Sequence, residues 1–267
     1  MIQRYTMAAA SAGAILTFAL SVFASTTWSA WTGDVLIIGE YHDNAEHHLQ
    51  QQNAVAAVQP KAVVFEMLTP EEAARLTDVA RTPEAMAQAT IGFHWSNIAD
   101  YAGILAQSPV ILGAALPRDD MRAAFTAGAA DTFGPTAARF GLTAPLPDAE
   151  QQTREGAQFD AHCAAMPREM MGGMVEAQRL RDAAFARAVL DALDTYGAPV
   201  ILITGNGHAR TDWGVPVYLD AARPGLTVQS FGQGEAGVAP AGTFDTILTD
   251  APAPEREDPC LAFTSEG

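Results

Sequence analysis

Four short apolar runs, each followed within a few residues by an ionisable side chain, constrain this chain more than any other feature of its sequence. They are Val35-Leu36-Ile37-Ile38, Ala62-Val63-Val64-Phe65, Val110-Ile111-Leu112-Gly113-Ala114-Ala115 and Pro199-Val200-Ile201-Leu202-Ile203. A strand that is apolar at every position has both faces covered, as in a parallel sheet with helices on either side. Helix signals separate the runs. Asp43-Asn44-Ala45-Glu46 reads as a capping box opening a helix to about Val58, and Thr69-Pro70-Glu71-Glu72 puts Pro at N1 and Glu at N3 of another. Asn97 to about Gln107 reads as helical. So does most of the stretch from Asp119 to about Leu193, with breaks near Gly134-Pro135 and around residues 143–147. Later strands are expected at residues 226–230 and 246–248. The expected fold is α/β, a mainly parallel sheet flanked by helices, with a helical insertion between the third and fourth strands.

The 267 residues and their 49% hydrophobic content suffice for one large core. A single domain is expected over residues 33–250, with a Pro- and Glu-rich extended tail at 251–267. The formal net charge of −16 excludes nucleic acid and anionic membrane surfaces as general partners, because both need a basic footprint. Residues 1–24 read as a signal peptide: a short positive start, an uncharged run from Met7, and Val22-Phe23-Ala24 before the cleavage point, with Ala30 as the second option. The expected location is therefore periplasmic. No cysteine lies near the cleavage region, so no lipid anchor is expected. In an oxidising compartment the two cysteines, Cys163 and Cys260, are expected to form one disulfide tying the tail to the body.

Ligands of parallel α/β sheets bind beyond the carboxyl ends of the strands. The four runs end there in Glu40 and His42, in Glu66, in Arg118, and in His208 and Arg210. Glu40 and His42 are two residues apart, so in extended backbone they share a side, with Tyr41 on the other. Gly39 lets the chain turn or lets a ligand approach. Arg118 is the expected partner of Glu66 or of a ligand carboxylate. Gly205-Asn206-Gly207-His208 delivers a histidine, but it is neither a dinucleotide fingerprint nor a P-loop. Of His47 and His48, one is expected to point back toward His42 and the other toward solvent. Met166, Met170 and Met174 fall at helical spacing and read as plain helix core.

Several fragments together resemble the ChaN family of haem-binding proteins. They are Ile37-Ile38-Gly39-Glu40-Tyr41-His42-Asp43-Asn44 with His47-His48, then Phe65-Glu66-Met67, the stretch Met174 to Asp182, and Gly205-Asn206-Gly207-His208 followed by Asp212-Trp213-Gly214-Val215-Pro216. The resemblance implies an exported haem-binding protein of iron uptake, with haem at the interface of a homodimer. It also implies a tyrosine ligand for iron, for which Tyr41 and Tyr101 are the candidates among Tyr41, Tyr101, Tyr196 and Tyr218. The haem site would draw on Glu40, Tyr41, His42, Glu66, Arg118, His208 and Arg210. Known family members are lipoproteins; with no cysteine near the expected cleavage point to bear the lipid, such an anchor is not expected here. Related superfamily enzymes look alike at the same motifs. The alternative is therefore a divalent-metal-dependent hydrolase, an esterase or peptidase, using Glu40, His42, Glu66 and His208. A binding protein with an inert inherited site is a third reading.

Overall fold

A computed structural model of the chain describes Trp28, residues 31–258, Cys260 and Leu261. The expected signal segment and both cleavage points lie outside the described residues.

Six strands form one sheet: β1 (Val35–Ile38), β2 (Ala62–Phe65), β3 (Ile111–Gly113), β4 (Val200–Ile203), β5 (Val228–Glu235) and β6 (Thr246–Ala251). Their order is β3-β2-β4-β1-β5-β6 and every pairing is parallel. The apolar runs alternate between two cores, as the two-residue period of a strand requires. Val35, Ile37, Ala62, Val64, Val200 and Leu202 face one side. Leu36, Ile38, Val63, Phe65, Ile201 and Ile203 face the other. Each of these residues is fully buried, so β1, β2 and β4 make the doubly covered centre.

On the second face lie α1 (Ala45–Val58), α2 (Pro70–Arg75), α3 (Pro83–Ala89) and α4 (Ala102–Gln107), the last preceded by a 3-10 turn at Ile98–Tyr101. Asn44 is the N-cap of α1, its side chain accepting from the backbone N–H of Glu46 and His47. Thr69 and Glu72 complete a capping box on α2, with Pro70 at its start. The first face is covered by α5 (Arg118–Ala127), α6 (Ala129–Phe133) and, behind α7 (Asp148–Ala161), which packs on it, α8 (Met171–Tyr196), then by α9 (Asn206–Ala209) and α10 (Val215–Ala222). The insertion between β3 and β4 is thus a full sheet layer. Its spine is α8, whose Leu180, Ala183, Ala184, Val189 and Leu190 are buried in the first core.

Two expectations change here. The methionine stripe is not one helix face, because α8 starts at Met171. Met171 is buried, while Met170 is 37% exposed in the turn before it. β5 also runs on to Glu235, well past the apolar residues that marked it, because its later positions are buried against the loops of the site.

Candidate functional site

The register carries the motifs into one crevice. Ile38 and Phe65 both stand opposite Ile203 of β4. Beyond the strands the pairing continues: Thr204 N–H donates to Ile38 O, Glu66 N–H to Ile203 O, and Asn206 N–H to Glu40 O. Glu40, Glu66 and the Gly205 loop therefore meet at the carboxyl edge, where the chain turns from β4 to α9.

Glu40 is buried and anchors the first half of the site. Its Oε1 accepts from the Tyr101 hydroxyl at 2.6 Å and from His42 Nδ1 at 2.9 Å. Its Oε2 accepts from Gln51 Nε2 at 2.9 Å, with His48 Nε2 at 3.2 Å. Burial opposes ionisation of Glu40, but the hydrogen bonds and charges of His42 and His48 outweigh it, so its pKa is lowered. Burial likewise opposes protonation of His42. The bond to Glu40, with the charges of Glu66 and Glu40, outweighs that, and its pKa is raised. With Nδ1–H held by Glu40, the ring directs Nε2 toward Gly205. A β-carbon on Gly205 would lie 3.0 Å from that nitrogen, so glycine there lets the imidazole approach. Trp95 meets the His42 ring edge-on at 4.9 Å.

Glu66 anchors the second half. Its Oε2 accepts from Thr204 Oγ1 at 2.5 Å and Gly205 N–H at 2.7 Å, and Arg181 of α8 donates to its Oε1. His208 Nε2 lies 3.7 Å from Oε1, while its Nδ1 bonds Asp182 at 2.6 Å. Burial opposes charge on Glu66, yet the His208 and Arg181 charges bring its pKa down to about 2. For Asp182 burial wins over His208 and the pKa is raised. Two carboxylate–histidine units thus face one another across Gly205.

The expected site residues divide clearly. Glu40, His42, Glu66 and His208 converge. Arg118 does not: it is exposed at the start of α5, and Glu66 takes Arg181 as its guanidinium partner. β3 is the edge strand, two positions from β4 and three from β1, so its end lies too far to the side. Arg210 pairs with Asp212, and its guanidinium stacks 3.4 Å from the Trp213 ring centroid. There it helps line a 210 Å³ cleft with Arg154, Gln178 and Asp182. Tyr41 points away from Glu40, is 39% exposed and stacks on His47. Tyr101 is fully buried, and burial together with the Glu40 charge drives its pKa far above the tyrosine range. Neither His47 nor His48 faces solvent. His47 donates from Nε2 to Gly234 O and accepts Tyr41 N–H at Nδ1, a neutral tautomer consistent with its burial-lowered pKa. Gly39 makes room for Asn206, whose Oδ1 would lie 2.5 Å from an added β-carbon. Asn206 in turn bridges to Gln233 at both backbone groups.

Arg181, Asp182 and Trp95 complete the site without having been expected in it. Asp182 carried a signal: an acid at the head of the buried run Ala183-Ala184-Phe185-Ala186 needs a partner.

Fold and site define an α/β protein with a ligand crevice at the carboxyl edge of a parallel sheet. The chain belongs to the family described as haem-binding uptake, Tiki superfamily, ChaN, whose family pattern matches residues 29–219. Among solved structures, ChaN of Campylobacter jejuni, described with cofacial haem binding, aligns with a TM-score of 0.55 and 18% identity. The alignment covers 77% of this chain and 83% of that one, and the likeness is one of fold. The type III effector HopBA1 aligns at a TM-score of 0.41 and 11% identity, over 82% of this chain and 88% of that one. No curated protein matches the sequence.

Proposed function

We propose that this protein binds haem at the rim of the crevice as an exported component of haem or iron uptake. The observation that carries the reading is the state of His42. A metal-ligating imidazole typically gives its other ring N–H to a carboxylate, and His42 gives Nδ1–H to buried Glu40, leaving Nε2 as the donor atom. The side chain is 30% exposed, so the ring reaches the surface. Tyr41 is the phenolic candidate, exposed beside it. Tyr101 is unsuited, because its hydroxyl is committed to Glu40 and resists ionisation. Arg210 and Arg154, both packed on the Trp213 ring, suit a planar ligand carrying carboxylates. Haem bound here would supply an iron centre, while the chain supplies the ligand atom, its orientation and the propionate partners.

The 210 Å³ cleft is below the usual range of about 300–1,000 Å³ for enclosed ligand sites. Haem would therefore lie on an open face, which supports a second copy of the chain as its cover. Export is supported by the Cys163–Cys260 disulfide, a bond typical of oxidising compartments.

The metal-hydrolase alternative rests on Glu40, His42, Glu66 and His208 and ranks second. Both oxygens of Glu66 are engaged, one by the Arg181 cation. Among the described residues no three His, Cys, Asp or Glu side chains are grouped to hold a metal ion. Titrating hemin into the purified protein should give a saturable Soret shift that is lost or strongly weakened in His42→Ala. Absence of a shift in soluble, monodisperse protein refutes haem binding. Bound divalent metal with ester or amide turnover dependent on His42 would favour the alternative.

A further inference from the structure

After Ala251 the chain leaves the sheet and is tied to the site at three points. The Pro252 carbonyl accepts from Asn44 Nδ2 at 2.8 Å, and the Oδ1 of the same side chain caps α1. Arg256 then donates from Nε and Nη2 to Asp43, at 2.5 and 2.6 Å, and from Nη1 and Nη2 to Glu235, at 2.7 and 2.6 Å. Its guanidinium lies 5.5 Å from the Tyr41 ring centroid. Cys260 finally bonds Cys163, in the corner between α7 and α8. Tyr41, Asp43 and Asn44 flank His42 on one wall of the crevice. Further along the same edge, Arg154 and Gln158 of α7 line the 210 Å³ cleft that Asp182, the partner of His208, also lines. The tail thus runs from the loop after His42 to the corner that follows α7.

The corner itself is conformationally costly. Cys163 and Ala164 both have φ of 55°, the left-handed region that residues other than glycine, Asn and Asp rarely occupy. Such backbone persists where its surroundings over-determine it, and the disulfide is the covalent constraint there. At the other end the Arg256 and Asp43 side chains are 36% and 47% exposed. Ion pairs as open as these hold a segment weakly on their own. The Arg256–Asp43 pair is therefore the weak tie of the tail, and the Arg256–Glu235 pair, whose carboxylate is only 10% exposed, is the firmer one; the covalent anchor that follows holds both in register.

We propose that residues 252–258 together with Cys260 act as a redox-opened strap: the Cys163–Cys260 disulfide holds the tail against the His42 loop, and its reduction by a dithiol loosens that loop. One thiolate of the dithiol attacks a cystine sulfur and forms a mixed disulfide. The second thiolate resolves it. Cys163 and Cys260 gain two electrons and two protons and become thiols, and the reagent leaves as its own disulfide. Freed at Cys260, the tail relaxes from Arg256 outward. The hold on Asp43 and Asn44 weakens, and with it the cap of α1 and the loop carrying His42. The strap thus sets how readily the crevice exchanges whatever ligand it takes.

Hydrogen exchange on the full chain without hemin tests this, so its result stands apart from the hemin titration. The reporters are the amides of Tyr41, Glu46 and His47, which bond His47 Nδ1 and Asn44 Oδ1. Under dithiothreitol they should exchange at least about ten-fold faster, and equally so in Cys260→Ser without reductant, while Ile201 and Ile203 of β4 keep their rates. Arg256→Ala with the disulfide intact should speed the same amides. Unchanged reporter rates in both the reduced protein and Cys260→Ser overturn the strap. So does acceleration of β4 by the same factor, which would make the disulfide a global staple.

Discussion

Glu40 is the residue on which the site turns, and its two simplest substitutions separate shape from charge. Three donors meet its two oxygens, Tyr101 and His42 on Oε1 and Gln51 on Oε2, and His48 Nε2 lies 3.2 Å from Oε2. In Glu40→Ala these donors face an apolar void. Removing one partner of a buried charged network costs about 3–5 kcal/mol, and the full burial of Glu40 puts this variant near about 4 kcal/mol. In Glu40→Gln one terminus becomes an NH2 group and would meet a donor. Gln51 relieves that conflict, because its Oε1 is buried without a partner and a flip of its amide offers an acceptor. What is lost is then mainly the charge assistance to Tyr101 and His42, about 2 kcal/mol. Urea denaturation at pH 7 with an unchanged slope measures both losses. An NMR titration of His42 should show its pKa falling in each, because the Glu40 bond and charge help raise it. If Glu40→Gln loses as much as Glu40→Ala, or neither loses more than about 1 kcal/mol, Glu40 does not organise these three donors.

The lowered pKa of Glu66 makes a pH prediction with a definite sign. A carboxylate at about 2 in the folded chain, against an ordinary value of 4.5 for a freely solvated glutamate, contributes stability above the higher value and loses it as pH falls toward the lower one. Between pH 5 and 2, wild type should lose about 3 kcal/mol more than Glu66→Gln, read from urea midpoints at each pH. Hemin bound through His42 Nε2 must displace a proton from a group whose pKa is raised, so affinity should fall as the solution is acidified. Phenolate ligation by Tyr41 alone would make that fall insensitive to His42→Ala. Gly205→Ala should cost about 1–2 kcal/mol and alter the Soret spectrum of any hemin complex, since the new β-carbon pushes on His42 Nε2.

The sheet was legible because each of its central strands is apolar at every position, a pattern that has few other homes. The cap of α2 was legible for a similar reason, since Thr69 and Glu72 act on backbone within three residues of themselves; at α1 the expected Asp43–Glu46 box gives way to Asn44 alone as N-cap, one residue on. Strand order was not, because nothing local to β4 states that it enters between β1 and β2. That order decides which strand ends meet. It brings Glu40, Glu66 and His208 together and leaves Arg118 at the side. Arg181 was hidden in a long helix rich in small residues, and its partner lies 115 positions away. Tyr101 was visible as a tyrosine but not as a buried donor, because a 3-10 turn rather than a strand end delivers it. His47 and His48 misled because both neighbours in sequence are buried, one against β5 and one against Glu40. That depends on two layers closing over α1.

The insertion of β4 between β1 and β2 also has a consequence for how the molecule is made. Val35 and Ala62 are both paired to Val200 and not to each other. During synthesis the first two strands emerge with no way to complete the centre of the sheet, and each carries an open apolar edge until β4 arrives from far down the chain. Such non-local pairing is slow and exposes sticky edges while it waits. Glu40 and Glu66 therefore cannot be joined across Gly205 until the last central strand docks. The crevice is among the final features to form, and a chain stopped before residue 200 would have neither a site nor a closed sheet.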